Sequence, residues 1–388
     1  MNQNIEEKWV AVWGNAVSIA DRKPAYYAKD VTLRYPIMPL VGGKGLRITL
    51  DNFTGTEDVT ISKVFVAVTA QDLEQTVEET TVPITFQGKA SVVVPAGGTV
   101  TSDEVSFFVT RGQRFTVSLY LAEFTLMRAG VFTSGPLSKG FFSVGDYAGA
   151  SQLPWDVTKT TQWFYFLSEV DVLACADCRS IICYGDSITA QSWPDYLAKR
   201  LLESGIENTA VIRRAASGTR ILRQYDNITY DSYGLQGSIR FPREAKAAGA
   251  DTILIQQGIN DIIHPVGTEV NRFRPWSDLP TAEEMIEGLR GYIVQAKEYG
   301  LKVYLGTLLP IEGWRTYADF REELRCQVNE WMRTTTEADG CVDFDRAVCD
   351  PAHPAAFNAG FDSGDHLHPS EAAYRQMAEC VPIEILKK

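Results

Sequence analysis

Apolar and polar residues alternate in short runs over the first half of the chain, as in 115–119 (FTVSL), and Gly, Asp, Asn and Pro separate the runs. Alternation of this kind predicts strands with one buried face. The predicted strands span 46–50, 59–69, 81–86, 91–94, 104–109, 114–122 and 163–173. The Gly-, Ser- and Pro-rich stretch 129–158 is interpreted as long loops. Many short strands at this spacing predict an antiparallel β-sandwich or jelly roll.

After Cys178 the pattern changes to short continuous apolar runs that alternate with helical periodicity. The predicted strands are 180–184, 210–213, 252–256, 302–307 and 341–343, and the predicted helices are 193–204, 285–299, 317–334 and 370–380. Buried strands alternating with helices indicate βαβ units, and therefore a parallel sheet with helices on both faces. We predict a β-sandwich accessory domain at 1–177 and an α/β domain at 178–388.

Composition and charge exclude several classes of function. Hydrophobic residues make up 45% and charged residues 22% of the chain, which is typical of folded globular proteins. With 37 basic and 49 acidic residues the net charge is −12, so we expect no nucleic-acid partner and no binding to anionic membranes. No apolar run reaches the ~18–20 residues of a membrane span.

The N-terminal residues and the cysteines bear on the compartment. Residues 1–7 (MNQNIEE) lack the basic and apolar regions of a signal peptide, so we expect a cytoplasmic protein. The alternative is a secreted protein whose leader has been removed. Seven irregularly spaced cysteines argue against a disulfide framework. The sequence leaves the oligomeric state open.

Polar or glycine-containing clusters follow the predicted strands, at the sheet edge where doubly wound proteins bind ligands. The clusters are 185–187 (GDS), 215–218 (AASG), 258–261 (GIND) and, before the last helix, 365–368 (DHLH). Ser187 could act as a nucleophile, His368 as its base, and Asp365 as the acid that orients the imidazole. Gly218 and Asn260 could donate hydrogen bonds to an oxyanion.

These four clusters resemble, in the same order along the chain, the four sequence blocks of the GDSL, or SGNH, hydrolases. The resemblance extends over residues 180–382. The resemblance implies a flavodoxin-like hydrolase fold, with signature roles for Ser187, Gly218, Asn260 and His368 and with Asp365 completing a triad. It also implies an oxyanion hole formed by Ser187, Gly218 and Asn260. Segments 32–34 and 46–52 resemble the β domain that precedes the hydrolase in some bacterial esterases. One departure is that arginine, at 213 or 214, stands where the second block usually begins with Asn.

The resemblance implies a serine esterase that needs no cofactor or metal and forms an acyl-enzyme. We expect short-chain acyl esters as small-molecule or oligosaccharide substrates, with O-acetyl groups on carbohydrates as the leading candidates. Two alternatives remain at this point: a lipid esterase or thioesterase, and a glycan-binding protein whose hydrolase fold has lost activity.

Each candidate residue also has a plainer interpretation. Ser187, Asn260 or Asp261 could cap a helix, and His368 could be a surface loop residue. Other chemistry is also conceivable for these and further residues: a metal site from Asp365, His366, His368 and His264, a zinc or redox role for Cys175 and Cys178, and a sugar-stacking platform from Trp9, Trp13, Trp155 and Trp163. For the tryptophans, burial in a core is the favoured interpretation.

Overall fold

A computed structural model describes residues 6–19, 25–224, 226–227 and 234–387. These residues form two compact units. The N-terminal unit runs to Ser180 and takes in Leu201–Ile212 and Ala247–Gly249; the C-terminal unit holds Ile181–Arg200, Arg213–Lys246 and the residues from Ala250 onward. A domain boundary between residues 177 and 178 stays a prediction. Among the described helices, none is long and apolar enough to cross a bilayer.

The N-terminal unit is built from short strands and one 3₁₀ turn, Glu78–Thr80. In chain order the strands are β1 (Glu7–Gly14), β2 (Ser18–Ile19), β3 (Tyr27–Ala28), β4 (Val31–Ile37), β5 (Leu46–Asp51), β6 (Val59–Ile61), β7 (Lys63–Val68), β8 (Val82–Pro83), β9 (Val92–Val94), β10 (Thr99–Thr101), β11 (Phe115–Leu121), β12 (Thr125–Leu126), β13 (Ala129–Phe132), β14 (Gly140–Val144), β15 (Thr158–Thr161), β16 (Trp163–Tyr165) and β17 (Leu167–Cys175).

Two antiparallel sheets dominate this unit. One has the order β1-β17-β5-β10 and the other β15-β14-β4-β11-β7-β8, with smaller sheets β16-β13-β2, β12-β3 and β6-β9. In the register of the larger sheet, Val117 of β11 lies between Tyr35 of β4 and Val66 of β7, and all three side chains are buried. The predicted antiparallel, sandwich-type β architecture is confirmed.

Four segment predictions in this unit need correction. The run 59–69 is two strands, β6 and β7, and the run 163–173 is also two, β16 and β17; in each case the two strands belong to different sheets. The run 104–109 is no strand but makes isolated bridges at Val105 and Val109. The stretch 129–158 contains β13 and β14 rather than loops alone. At Gly130 an added Cβ would lie 2.7 Å from the Tyr165 ring, so this glycine permits close strand packing. The composition of a sequence segment does not reveal such a contact between strands.

The elements from Arg179 onward follow the predicted alternation closely, and most of their residues belong to the C-terminal unit; the exceptions are Arg179, Ser180, Leu201–Ile212 and Ala247–Gly249. The strands are β18 (Arg179–Gly185), β19 (Thr209–Ala215), β20 (Ala250–Gln256), β21 (Lys302–Gly306), β22 (Gly340–Val342), β23 (Cys349–Asp350) and β24 (His353–Phe357). The helices are α1 (Ser187–Ala190), α2 (Trp193–Glu203), α3 (Gly237–Glu244), α4 (Ile259–Ile263), α5 (Ala282–Glu298), α6 (Asp319–Thr334), α7 (Phe344–Val348), α8 (Glu371–Cys380) and α9 (Ile383–Leu386), with a 3₁₀ turn at Trp276–Asp278.

The central sheet has the order β19-β18-β20-β21-β22, and β20, β21 and β22 pair in parallel. This is the flavodoxin-like order: the second strand lies on one side of the first, and the later strands are added on its other side. All of β18 is buried, as expected for a strand covered on both faces. The predicted α/β fold is therefore confirmed. The carboxyl ends of β18, β19 and β20 lead into the segments that carry Ser187, Gly218 and Asn260.

Candidate active site

Ser187 is the first residue of α1, which begins directly after β18. The helix is capped by the carboxylate of Asp186, which accepts a hydrogen bond from the backbone N–H of Ile188 at 3.0 Å. The capping interpretation of Ser187 is therefore wrong. Its Oγ instead lies 2.9 Å from Nε2 of His368, within hydrogen-bond distance.

The imidazole of His368 is held on its other side by Asp365, whose Oδ2 lies 2.7 Å from Nδ1. The other carboxylate oxygen of Asp365 accepts hydrogen bonds from the backbone N–H groups of Leu367 and His368 at 3.0 and 2.8 Å. Burial alone would raise the pKa of Asp365, but the hydrogen bonds from His368 and Leu367 outweigh it and hold this pKa below its usual value. The carboxylate that orients the imidazole is thus ionised at neutral pH.

The loop that carries Asp365 and His368 is braced from within. Oδ1 of Asp362 accepts from the backbone N–H groups of Gly364 and His366, and the N–H of Ser363 donates to the carbonyl of His368. His366 has a positive φ of 64° and pairs with Asp362 through Nδ1 at 2.5 Å. His366 therefore stabilises the loop rather than joining His368.

Gly218 and Asn260 lie on the same cavity wall as Ser187. Gly218 has φ +78°, a conformation that L side chains rarely adopt, so the turn after β19 requires glycine here. Asn260 is 3% exposed, and its Nδ2 donates to the carbonyl of Thr219 at 3.2 Å. Gly258, not a side chain, occupies the N-cap of α4, so neither Asn260 nor Asp261 is a cap.

Two buried residues, Asp261 and Arg240, support the site in ways that the sequence did not indicate. The carboxylate of Asp261 accepts from the backbone N–H groups of Ile221 and Leu222 at 2.8 and 3.0 Å, which joins α4 to the loop after Gly218. Arg240 pairs with Glu244 one helical turn away and donates to the carbonyls at positions 185 and 214. The i,i+4 spacing of Arg240 and Glu244 was a visible signal, but the distant carbonyls were not.

Arginine in the second block has a structural role at position 213. The guanidinium of Arg213 is buried, pairs with Asp195 of α2 at 2.5 Å and donates to the carbonyl of Ala190. This arginine therefore joins the strand β19 to α2, behind the turn that carries Gly218.

Ser187, Gly218, Asn260 and His368 line one cavity of about 480 Å³ within the C-terminal unit. The remaining lining residues are Gln191, Ser217, Asn227, His264, Asn271, Arg274, Trp314, Arg315 and Leu367. Asp365 lies behind His368, to which it is hydrogen-bonded. The structure thus brings every predicted site residue together.

The alternative sites find less support. Within the described ranges, no group of three His, Cys, Asp or Glu side chains is arranged to hold a metal ion. Cys175 and Cys178 are free thiols joined by a backbone turn, the first exposed and the second buried.

The prediction that the four tryptophans are buried is wrong: Trp155 is 91% exposed, and Trp9, Trp13 and Trp163 are half-buried.

A hydroxyl, an imidazole and a carboxylate connected in this order can generate a nucleophile, because the imidazole can take the hydroxyl proton while the carboxylate stabilises the resulting cation. Amide and backbone donors on the same wall can stabilise a negative charge that forms beside that nucleophile.

Solved structures similar to this chain include a GDSL-like lipase from Bacteroides thetaiotaomicron, which is 18% identical with a TM-score of 0.40 over 54% of this chain and 88% of that one. An acetylxylan esterase from Geobacillus stearothermophilus is 19% identical, with a TM-score of 0.39 over 54% of this chain and 95% of its own. No curated protein matches the chain. The family model of the GDSL-like lipases and acylhydrolases matches residues 183–376, half of the chain, and this span contains all five predicted site residues. The chain belongs to the GDSL-like lipase/acylhydrolase family and is a hydrolase of the esterase type.

Proposed function

We propose that this protein is a serine esterase that removes short acyl groups, above all O-acetyl groups on carbohydrates, through an acyl-enzyme. The observation that carries the proposal is the continuous hydrogen-bond chain from Ser187 through His368 to Asp365 at the wall of a polar cavity. Membership of an ester-hydrolase family supports the reaction type. The substrate class and the residue roles are inferred from the site.

In the first half-reaction, Ser187 Oγ attacks the ester carbonyl carbon while Nε2 of His368 takes the hydroxyl proton. The carbonyl oxygen becomes an oxyanion, for which the N–H groups of Ser187 and Gly218 and the amide of Asn260 are the available donors. The N–H of Ser187 belongs to the first turn of α1, where backbone N–H groups have no intrahelical acceptor. When the intermediate collapses, His368 protonates the departing alcohol oxygen, and the acyl group remains on Ser187.

In the second half-reaction, water replaces the alcohol. His368 takes a proton from the water, the resulting oxygen attacks the acyl carbon, and the carboxylic acid leaves as Ser187 recovers its proton from His368. Asp365 remains ionised throughout, because its low pKa keeps it a carboxylate, and it holds the Nδ1 proton of His368. No step requires a metal ion.

Substitution of the two central residues tests this mechanism. We expect Ser187→Ala and His368→Ala each to lose nearly all ester hydrolysis, whereas His353→Ala, at an exposed histidine outside the cavity, keeps it. A fluorophosphonate probe should label the unaltered protein and not Ser187→Ala, since only an activated serine reacts. Failure to label would favour the inactive glycan-binding alternative. Activity lost in chelator and restored by metal would contradict the mechanism.

The cavity lining predicts a preference for short acyl groups. Apart from Leu367 and the Trp314 ring, polar or charged side chains and glycine form the wall. A buried methylene contributes ~0.8 kcal/mol only where apolar surface receives it, so a long acyl chain gains little here. We expect kcat/KM to stay level or fall from acetyl to lauryl esters of one alcohol. A steady rise along this series would favour the lipid esterase or thioesterase alternative.

A further inference from the structure

We propose that Arg274 and Arg315 bind an anionic group of the substrate, a carboxylate or a sulfate, that is separate from the reacting ester. The preferred substrates would then be esters of acidic compounds such as uronic acids or sulfated sugars. The inference rests on the proposed esterase function and names the substrate class of the same cavity. Both arginines line the cavity together with Ser187 and His368.

Within the part of the chain that the structure describes, neither of these guanidinium groups has a partner of opposite charge. Among the described residues, no carboxylate lies within ion-pair distance of Arg274 or Arg315, and no acceptor takes a hydrogen bond from either guanidinium. Nε of Arg274 is buried and has no hydrogen-bond partner there. The guanidinium of Arg315 lies 4.6 Å from the ring centroid of Trp314. Burial of the Arg274 Nε without an acceptor is costly unless a ligand supplies one, whereas Arg315 is an exposed residue whose guanidinium a ligand can reach.

Two neighbouring arginines behave differently and serve the fold. Arg321 is 2% exposed and donates to the backbone carbonyls of Ile262 and Pro265. Arg220 is 1% exposed and pairs with Asp278 at 3.3 Å. The terminal amino groups of Arg321 and Arg220 thus have acceptors within the protein, although the Nε of each, like that of Arg274, lacks one among the described residues. Arg274 and Arg315 differ in that they line the cavity and have no such acceptor among the described residues.

Among the described residues, the charged side chains of the cavity wall have one sign. These lining residues include two arginines and two histidines and no Asp or Glu, although the whole chain carries a net charge of −12. Burial, together with the positive charges of Arg220, Arg274, Arg315 and Arg321, holds the pKa of His264 well below its usual value. The positive potential of these guanidiniums thus reaches the cavity wall, and a substrate anion would be attracted there.

The position of Arg274 is fixed by its backbone rather than by its side chain. Its carbonyl accepts from the N–H groups of Val266 and Gly267, and its N–H donates to the carbonyl of Asn271. Substitution by glutamine therefore removes the guanidinium and leaves the loop hydrogen bonds in place. Nε1 of Trp314, also buried without an acceptor among the described residues, adds a neutral donor beside the arginines.

A matched set of three esters tests the inference: the O-acetylated methyl glycosides of glucuronic acid, of glucose 6-sulfate and of glucose. At low ionic strength we expect kcat/KM for at least one acidic ester to exceed that of the neutral ester roughly ten- to a hundredfold, the range of hydrogen bonds to charged groups. Salt should reduce this ratio. Whether the carboxylate or the sulfate ester is preferred identifies the oxyanion.

Three single variants then assign the preference to the cavity. Arg274→Gln and Arg315→Gln should each bring the ratio toward one, and the double variant should abolish it. Arg272→Gln removes the same charge from the same loop, at an exposed side chain outside the cavity lining, and should keep the ratio. A ratio near one in the unaltered protein, or an unchanged ratio in the double variant, would overturn the inference.

A binding measurement separates this inference from the proposed function. Calorimetric titration of Ser187→Ala with methyl glucuronide, methyl glucoside 6-sulfate and methyl glucoside requires no catalysis. If none of the three esters is hydrolysed but an acidic glycoside binds and Arg274→Gln abolishes the binding, the anion site stands and the esterase proposal fails. If neither acidic glycoside binds more tightly than the neutral one, the anion site is wrong whatever the activity.

Discussion

We propose that Asn260 acts on a developing negative charge rather than on the bound ester. Its Nδ2 carries two hydrogens, of which one is donated to the carbonyl of Thr219 and the other remains for the cavity. An interaction that is strong only in the tetrahedral intermediate lowers the barrier without tightening substrate binding. We expect Asn260→Ala to reduce kcat by ~10²–10³, the loss seen on removing one oxyanion donor from a comparable hydrolase, with KM little changed.

The rival explanation is that Asn260 only joins α4 to the loop at Thr219. On that view Asn260→Ala would unfold at a lower temperature, yet the folded protein would keep its kcat. Thermal unfolding and steady-state kinetics on the same purified variant separate the two explanations. Asn260→Asp provides a matched comparison, because a carboxylate of nearly the same shape would repel the oxyanion and should be at least as damaging as alanine.

The residues that form the candidate site could be predicted from sequence, because Ser187, Gly218 and Asn260 each follow a short apolar strand and this pattern is visible without any tertiary contact. The residues that support them could not be predicted in this way. Asp261 and Arg240 act through backbone groups 26 to 55 positions away, and such a pairing exists only after the chain has folded. Nor did any pattern separate Arg274 from Arg321, since the difference lies in which carbonyls surround each guanidinium.

At the scale of elements, Asp261 connects α4 to the segment that follows Gly218. Burial raises the pKa of Asp261 to about 6, although the N–H groups of Leu222 and Ile221 act against it. In Asp261→Asn one carboxylate oxygen becomes an NH₂ group, so a buried N–H of Ile221 or Leu222 loses its acceptor, at a cost of ~1–3 kcal/mol. We expect a lower unfolding temperature and a reduced kcat, because the turn carrying the Gly218 donor is no longer fixed.

Asp350→Asn is a suitable control for Asp261→Asn. It removes the same formal charge from a carboxylate that also accepts a backbone N–H, that of Ala352 at 2.8 Å, but in an exposed turn. Its kcat should be unaltered and its unfolding temperature nearly so. If Asp261→Asn lowered the unfolding temperature with full kcat, Asp261 would be a structural residue with no role in positioning Gly218.

The elements predicted in the C-terminal unit are all present, although α3 and the pair β23-β24 were not predicted, whereas several strand predictions in the N-terminal unit are wrong. The difference has a physical reason. Buried parallel strands such as β18 and β20 are continuous apolar runs, which are visible in isolation. In the N-terminal unit a strand is defined by its partner. The run 59–69 is continuous in composition, yet Ser62 separates β6, which pairs with β9, from β7, which pairs with β11. Sequence alone does not specify those pairings.

At the scale of the whole molecule, the sheet order places the site and also buries several carboxyl groups. Asp186, between β18 and Ser187, is fully buried, and burial raises its pKa to about 7. Its Oδ1 accepts from the N–H of Ile188, while Oδ2 has no hydrogen-bond partner among the described residues. Asp343 and Asp365 differ, because hydrogen bonds from Arg333 and His368 respectively outweigh burial and lower their pKa values.

The stability of this molecule should consequently depend on pH through Asp186 with a defined sign. A carboxyl whose folded pKa lies above its unfolded value of ~3.9 favours folding at low pH, and this contribution is lost as the pH rises to about 7. His264 has the opposite sign because its pKa is lowered, so the pH profile of the unaltered protein alone is not diagnostic.

The difference in stability between Asp186→Asn and the unaltered protein is diagnostic. Asparagine keeps the acceptor for Ile188 and cannot ionise, so we expect the variant to gain relative stability between pH 4 and pH 7, by at most about 4 kcal/mol for a shift of about three pK units. Denaturant unfolding across this range measures the difference, and the exposed Asp72→Asn, which makes the same chemical change, is measured in parallel as a control. A difference for Asp186→Asn that did not change with pH would mean that folding does not raise the pKa of Asp186.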